Sequence, residues 1–244
     1  MRTATIILSI ALCTITSVNA QWWGSKKING NGNVVTKNRS TSDYDQVKVK
    51  GNLDVALVSG SEGKIVIEGE SNLIEHIRTE VDGDVLKVYV EKEYYLKPSR
   101  GKKLLVTVPF EDLSKVTLAG SGDVYSKDVI KATNFKTGIS GSGDVKLKVD
   151  AQNTEGYVTG SGDLVLSGSS GTFECKVTGS GDLSAYDLNA KDVTASVTGS
   201  GDIQVTANTS IKARITGSGD IEYKGNPEME DKKVSGSGDI SKRQ

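Results

Sequence analysis

The motif Gly-Ser-Gly-Asp is the feature of this sequence that most clearly could do chemistry, because it places seven carboxylates at nearly regular intervals. It begins at residues 120, 141, 160, 179, 199, 217 and 236, so successive aspartates are 18 to 21 residues apart. If one motif stacks on the next, neighbouring carboxylates lie about 5 Å apart and repel by about 0.8 kcal/mol in a water-like dielectric. These aspartates are Asp123, Asp144, Asp163, Asp182, Asp202, Asp220 and Asp239.

Two kinds of partner can offset that repulsion. Backbone N–H groups at a glycine corner can donate to the carboxylates locally, as they do in Asx turns. A hard cation such as Ca²⁺ can instead sit between coils, as in Gly- and Asp-rich nonapeptide repeats. This sequence has one aspartate per corner and a longer period, which leaves few oxygen ligands for each site. We therefore predict a structural aspartate column and no cofactor, with calcium binding as the alternative.

The sequence gives little support for a catalytic site or a transition-metal site. His76 is the only histidine and stands beside apolar residues in LIEHIRTE, which favours a structural or solvent-facing role over general-base catalysis. Cys175 alternates with Val177 and is predicted to be a core thiol. The motif GSGD is not a G-x-S-x-G nucleophile elbow. We predict no catalytic, cofactor-binding or metal residues and a non-enzymatic protein; a polysaccharide lyase or hydrolase built on stacked coils is the enzymatic alternative.

One stretch suits recognition rather than catalysis. The segment EKEYYLKPSRGKKLL interrupts the repeat with Pro98 and Gly101, and it predicts a projecting loop over 92–103. The loop joins Tyr94 and Tyr95 to basic side chains, a combination that suits an acidic glycan or a partner protein. A solvated hairpin without a ligand is the alternative. The basic residues are Lys92, Lys97, Arg100, Lys102 and Lys103.

The segments that flank each motif are predicted to be strands. Apolar and polar residues alternate on both sides of GSGD, and β-branched residues are frequent. One apolar column follows the aspartates: Val124, Val145, Leu164, Leu183, Ile203, Ile221 and Ile240. A second precedes the motif: Leu118, Ile139, Val158, Val177, Val197, Ile215 and Val234. Small outward-facing residues stand between that column and the glycine: Ala119, Ser140, Thr159, Thr178, Thr198, Thr216 and Ser235.

These columns decide the predicted fold class. A repeat of about 19 residues cannot bury its own apolar face, so successive repeats must cover one another. The sequence therefore predicts an all-β, single-stranded parallel β-helix, or solenoid, with regular coils over 116–244. Glycine is expected at the corner because the backbone turns sharply there and lies close to the coils above and below.

The N-terminal half carries the same pattern in weaker form. Residues 49–57, VKGNLDVAL, match the regular repeat, and residues 28–35, INGNGNVV, are interpreted as a further degenerate coil. Residues 60–115 contain three alternating segments and a short helical turn at SNLIEHI. We interpret 28–115 as irregular coils of one β-helix domain that spans 21–244. A small separate α+β domain is the alternative for residues 60–115.

The first 20 residues predict export. An apolar stretch ends in Val18-Asn19-Ala20, which indicates a signal peptide over 1–20 that is cleaved after Ala20. A lipoprotein signal acylated at Cys13 is the alternative. The remaining chain has only Cys175, so no internal disulfide is expected, and Trp22 and Trp23 adjoin the cleavage site, where a first-coil cap or a tail is expected.

The hydropathy and charge of the whole chain bear on two classes of partner, membranes and nucleic acid. No later segment approaches the ~20 apolar residues that a membrane-spanning helix needs. The 30 basic and 31 acidic side chains give no strong net field, which disfavours nucleic acid as a partner.

Several stretches resemble a known family of exported bacterial proteins. They are DYDQVKVKGNLDVALVSG at 43–60, SNLIEHIRTEVDGDVLKV at 71–88, the serial GSGD motif and YKGNP at 223–227. The family is the "putative auto-transporter adhesin, head GIN domain" family, a domain of unknown function. The resemblance implies a right-handed single-stranded β-helix at or beyond the outer membrane of a Gram-negative bacterium. It carries a label of adhesion but no set of binding residues.

We therefore expect an exported, non-enzymatic β-helix that binds a glycan or a cell-surface protein. The outward Thr/Ser column and the 92–103 loop are the expected contact surfaces, while the ligand-binding residues themselves are unknown. A purely structural envelope component without a ligand is a further alternative.

Overall fold

The structure, a computed structural model, describes residues 26–243 as 18 strands and one short helix. The predicted signal peptide over 1–20, Cys13 and the Trp22–Trp23 pair lie outside the described residues. The single helix in the described part, one turn long, is far too short to cross a bilayer.

The elements follow one another along the chain as short strands and then long ones. The N-terminal elements are β1 Lys26–Asn29, β2 Val34–Ser40, β3 Gln46–Gly51, β4 Asp54–Ser59, β5 Lys64–Glu70, α1 Ser71–Ile74, β6 Ile77–Asp82, β7 Val85–Val90, β8 Tyr94–Lys97, β9 Leu105–Phe110 and β10 Lys115–Gly120. The others are β11 Val124–Gly141, β12 Val145–Gly160, β13 Leu164–Gly179, β14 Leu183–Gly199, β15 Ile203–Gly217, β16 Ile221–Lys224, β17 Met229–Gly236 and β18 Ile240–Lys242.

The long strands β11 to β15 stack in parallel, each on the next, and their corner glycines are in register. Gly141 pairs with Gly160, Gly160 with Gly179, and Gly179 with Gly199. The predicted parallel β-solenoid with a period near 19 residues is confirmed, with about seven turns.

The core of the solenoid is the pair of apolar columns predicted from the sequence. Val145, Leu164, Leu183 and Ile203 are fully buried, as are the aliphatic residues that precede each motif up to Ile215. Cys175 is buried among them, and desolvation raises the pKa of its thiol well above the usual range. The predicted core thiol is therefore confirmed, and it lies out of reach of solvent.

The corners are formed by direct contact between backbones. Within the GSGD motif at 160–163, the N–H groups of Ser161 and Gly162 both donate to the carbonyl of Gly141 in the preceding coil, at 2.9 and 3.1 Å. A Cβ atom on Gly162 would lie 2.1 Å from the carbonyl oxygen of Gly143. No side chain fits there, because the coil below already occupies the space.

The N-terminal part joins the solenoid in an order that differs from the chain order. Strands β3 and β4 form a coil with its corner at Gly51–Asp54. Strands β10 and β11 stack above this coil, whereas β7 and β9 stack below it, all in parallel. The coil of residues 46–59 is therefore enclosed between two later segments of the chain.

Three other N-terminal strands depart from the expected parallel coils. Strand β6 pairs antiparallel with β7, and β2 and β9 both pair antiparallel with β5. The expected coil of residues 28–35 is divided: Ile28 and Asn29 belong to β1, which pairs in parallel with β8, whereas Val34 and Val35 belong to β2, which is antiparallel to β5. The cause at β6–β7 is local: the Asp-Gly turn at Gly83, with φ of 64°, closes a hairpin.

A buried carboxylate forms hydrogen bonds with two other segments of the chain at this end of the solenoid. Glu70 is fully buried, and its oxygens accept hydrogen bonds from the N–H of Gly32 at 2.5 Å, the N–H of Ser99 at 2.8 Å and the hydroxyl of Ser99 at 2.6 Å. Chiefly because of the Ser99 hydroxyl, the pKa of Glu70 is lowered. The α1 residues Leu73 and Ile74 pack in the core beside it.

The opposite end of the stack replaces apolar core residues with charges. Glu230 and Lys232 of β17 continue the inward columns of Ile211 and Ala213. The two side chains form an ion pair at 2.7 Å, and the Lys232 ammonium lies 4.6 Å from the centroid of the Tyr223 ring. Inward-pointing charges at a sheet edge oppose the addition of another strand.

Replacing Gly162 by alanine tests the corner contact. We expect Gly162→Ala to lower the free energy of unfolding by about 1 to 3 kcal/mol, because the new methyl group must displace the backbone of the coil below. The matched control Ser161→Ala changes a solvent-exposed side chain of the same corner and is expected to stay within about 0.5 kcal/mol of wild type. Urea denaturation measures both, and equal stabilities of the two variants would contradict the proposed contact.

The pH dependence of stability tests the role of Glu70. Its folded pKa is below the ordinary value of 4.5, so its contribution is fully present above that value and is lost as the pH falls through the lower folded pKa. Glu70→Gln places an amide among three donors, and we expect a loss of about 1 to 3 kcal/mol at pH 7. The difference in urea midpoint between wild type and Glu70→Gln should shrink as the pH is lowered toward 3. A difference that stays constant would contradict this role.

Candidate functional site

The aspartates of the GSGD motifs form a continuous hydrogen-bonded column along one edge of the solenoid. An Oδ1 atom of each aspartate accepts the backbone N–H of the aspartate in the next coil, at 3.1 Å from Asp144 to Asp163 and at 2.9 Å from Asp182 to Asp202. The column extends below to Asp54 and above to Asp239. The expected Asx-type bond within a single corner is thus replaced by a bond between coils.

This bonding explains how carboxylates can stand one above another. Each corner N–H brings a partial positive charge to the oxygen that it binds, which offsets repulsion between neighbours. Within residues 26–243, no three or more His, Cys, Asp or Glu side chains are grouped so as to hold a metal ion. The structural role of the column without a cofactor remains a prediction, with calcium binding as the alternative, and thermal unfolding tests it below.

A cleft beside the corners brings together the predicted loop and the motif. We call it the loop-corner cleft; it has a volume of about 460 Å³. Its aromatic wall is Tyr94 and Tyr95, and its floor is made of corner residues. The lining residues are Gly51, Asn52, Val90, Glu91, Lys92, Tyr94, Tyr95, Gly120, Ser121, Gly141 and Ser142.

The loop is anchored as a strand rather than as a free hairpin. Strand β8 pairs in parallel with β1, and its Leu96 is fully buried. The Asn52 amide of the first corner donates to the Leu96 carbonyl at 2.6 Å. Tyr95, which points away from this anchor, is 47% exposed. Of the basic residues predicted for the loop, Lys92 lines the cleft, whereas Lys97, Arg100, Lys102 and Lys103 are exposed elsewhere.

A small ionic network holds Tyr94 in place. The His76 ring packs on the Tyr94 ring with 4.3 Å between centroids, and its Nδ1 lies 3.1 Å from Glu91. Arg78 binds the other oxygen of Glu91. The hydrogen bond with His76, followed by the charge of Arg78, lowers the pKa of Glu91. His76 therefore contacts groups that support the cleft.

The composition of the cleft suits binding more than hydrolysis. Glycoside hydrolysis ordinarily needs two carboxyl groups facing each other across the scissile bond. The lining of the loop-corner cleft holds one carboxylate, Glu91, and this is engaged by His76 and Arg78. The exposed Tyr95 ring and the hydroxyls of Ser121 and Ser142 beside the glycine backbone are groups that can contact a ligand.

Comparison with known proteins places the chain in a family. The family model described as "Putative auto-transporter adhesin, head GIN domain" matches residues 43–227. The chain belongs to this family. No curated protein sequence matches the chain significantly. The resemblance inferred from the serial GSGD motif is thereby confirmed.

Solved structures share the head GIN domain fold. A putative adhesin from Bacteroides fragilis NCTC 9343 is 24% identical, with a TM-score of 0.82 over 88% of this chain and 100% of that one. A putative lipid binding protein from Parabacteroides distasonis ATCC 8503 is 27% identical, with a TM-score of 0.74 over 90% and 100%. A putative adhesin from Parabacteroides merdae ATCC 43184 is 21% identical, with a TM-score of 0.70 over 90% and 100%.

This head GIN domain also carries an acidic cleft that the sequence did not predict. It has a volume of about 450 Å³, and Glu62 accepts the N–H groups of Tyr44 and Glu111 at its centre. Partial burial, with the charges of Asp43 and Asp112, raises the pKa of Glu62. The other carboxylates are Asp45, Asp84 and Glu111. They come from distant segments: Asp45 and Asp84 directly precede β3 and β7, whereas Glu111 directly follows β9.

Thermal unfolding with and without calcium tests the aspartate column. Because backbone N–H groups already bind the Oδ1 atoms, we expect the melting temperature in millimolar calcium to equal that in excess EDTA. Asp163→Asn keeps the acceptor oxygen and removes one charge, so it should also melt as wild type does. A calcium-dependent rise in melting temperature that Asp163→Asn reduces would show instead that the column binds the ion.

Proposed function

We propose that this head GIN domain is exported and acts as a non-enzymatic adhesin that binds carbohydrate chains at a cell surface. The loop-corner cleft is the proposed binding site. The single observation that carries this proposal is the position of the exposed Tyr95 beside Ser121 and Ser142, which repeat at the spacing of the coils.

The chemistry of the cleft supports a sugar ligand. A sugar ring has an apolar C–H face that can pack on an aromatic ring and hydroxyl groups that exchange hydrogen bonds with serine. Both kinds of partner line the cleft, with Lys92 at its rim. Because Tyr94 is held by His76 and Leu96 is buried, little loop ordering is required on binding.

The outward hydroxyl column extends the site along the solenoid. Ser140, Thr159, Thr198 and Thr216 are exposed and stand next to the corner glycines. Like residues recur about every 4.8 Å, so an extended chain that leaves the cleft meets a repeating row of hydroxyl groups. Such a surface suits a polymer better than an isolated sugar.

Features outside the cleft support export and adhesion. The signal-like segment 1–20 supports export, and the family description and two of the similar structures carry the word adhesin. One similar protein is described as lipid binding, so lipid is the ligand class to compare with sugar.

Replacing Tyr95 by alanine tests the proposed site. We expect Tyr95→Ala to weaken binding to surface polysaccharide by about tenfold or more, equivalent to about 1.4 kcal/mol, because an exposed aromatic anchor is lost. Binding of residues 21–244 to a glycan array and to bacterial cells measures the effect. The matched control Tyr125→Ala removes a half-exposed tyrosine from another face and should leave binding unchanged.

Three results would contradict the proposal. Equal losses for Tyr95→Ala and Tyr125→Ala would remove the cleft from the binding site. Binding to lipid vesicles but to no glycan would assign a different ligand class. New reducing ends or unsaturated sugars after incubation with a polysaccharide panel would show an enzyme.

A further inference from the structure

A third concave surface lies on the outer face of the sheet that contains β7, β3, β10, β11 and β12. We call it the lysine trough; it has a volume of about 450 Å³ and is separate from the loop-corner cleft. Its floor is made of the small residues Thr117, Ala119 and Ser140. The trough exists because larger side chains border these small ones on neighbouring strands.

One wall of the trough is an aromatic ring held flat against the sheet. Tyr157 pairs with Gly138 in the adjacent strand, and a Cβ atom on residue 138 would lie 2.2 Å from the Tyr157 Cζ. The ring therefore covers the backbone at Gly138, and one of its faces turns away from the sheet. Lys136 Nζ lies over this ring, 5.8 Å from its centroid, and is ion-paired with Glu155.

The other walls are basic. Lys48 pairs with Thr117 on one side and Lys87 on the other, and Lys115 precedes Thr117 by two residues on the same face. Asp82 pairs with Lys87 at 2.5 Å. In the part of the chain that the structure describes, neither Lys48 nor Lys115 takes part in an ion pair. Two ammonium groups that form no ion pair therefore face one small concave surface, whose carboxylate, Asp82, is paired with Lys87.

We propose that the lysine trough binds an acidic sugar unit of an anionic polysaccharide, through a carboxylate or sulfate group. The anion pairs with Lys48 and Lys115, the sugar ring stacks on Tyr157, and the ring hydroxyls bond to Thr117 and Ser140. This site goes beyond the proposed function, because it does not depend on Tyr95 and it selects charge.

The arrangement of charge also sets the direction of the bound chain. Asp45 and Asp84 of the acidic cleft lie next along the chain to Gln46 and Val85 of the trough lining. That side repels a polyanion, whereas the exposed Lys176 follows Tyr157 in the same column of the next coil. The polysaccharide therefore runs along the solenoid axis.

Isothermal titration calorimetry with residues 21–244 at about 0.15 M salt tests the proposal, since screening at that ionic strength suppresses long-range charge effects. The probes are polygalacturonate, which carries carboxylates, dextran sulfate, and neutral dextran. We expect at least one polyanion to bind more tightly than neutral dextran. Preference for one polyanion identifies the anionic group.

Matched double variants separate the trough from general charge. Lys48→Gln/Lys115→Gln should weaken polyanion binding about tenfold or more. Lys131→Gln/Lys146→Gln, which removes the same charge from exposed residues outside the trough, should change it less than about twofold. Tyr157→Phe should retain binding, and Tyr157→Leu, which still covers Gly138 but lacks a flat ring, should weaken it.

Several outcomes would overturn the proposal. These are equal losses for the two double variants, no binding of either polyanion, equal binding of neutral dextran, or unchanged binding by Tyr157→Leu. Tyr125→Ala serves as the aromatic control outside both surfaces and should leave polyanion binding unchanged. Loss of polyanion binding in Tyr95→Ala alone would assign the anionic ligand to the loop-corner cleft and would also overturn the trough.

Discussion

The contact between corner backbones is the constraint on which this structure depends. The carbonyl of Gly141 accepts two N–H groups from Ser161 and Gly162, and the same pair of bonds recurs at every corner up to Gly238. With no room for a Cβ atom between coils, the spacing and the register of each coil are fixed at this edge. The apolar columns, the aspartate column and the outward hydroxyl column all follow, because each is a fixed number of residues from a glycine.

Repetition alone does not produce a specific site, because a motif present in every coil cannot distinguish one position from another. The two concave surfaces proposed as binding sites occur where the regular pattern is interrupted. The loop-corner cleft exists because β8 is inserted between β7 and β9 and carries Tyr95 to the edge of the corners. The lysine trough exists because Gly138 takes a position that elsewhere holds a side chain, which leaves room for Tyr157. The regular coils thus act as a rigid support for a few irregular residues.

The regular half of the fold could be predicted from sequence because like residues stack on like. Val145, Leu164 and Leu183 have the same neighbours above and below, so their burial follows from the period alone. The N-terminal half could not be predicted in this way, since β3 lies between β7 and β10 and chain order no longer gives stacking order. The Asp-Gly pair at 82–83 was a readable hairpin signal. The role of Glu70 and the existence of the trough each depend on segments that only the folded order brings together.

Because the corners are alike, the length of the solenoid depends only on the number of its coils. Between Gly141 and Gly217, every coil presents the same bonds upward and downward, whereas the ends differ: Glu70 is buried at one, and Glu230 pairs with Lys232 at the other. Gain or loss of one whole repeat in that interval leaves both ends and the loop-corner cleft unchanged. It changes the length of the solenoid by one coil, which is about 4.8 Å. Gene duplication and deletion can therefore change, in fixed steps, the distance between the two ends of such a protein.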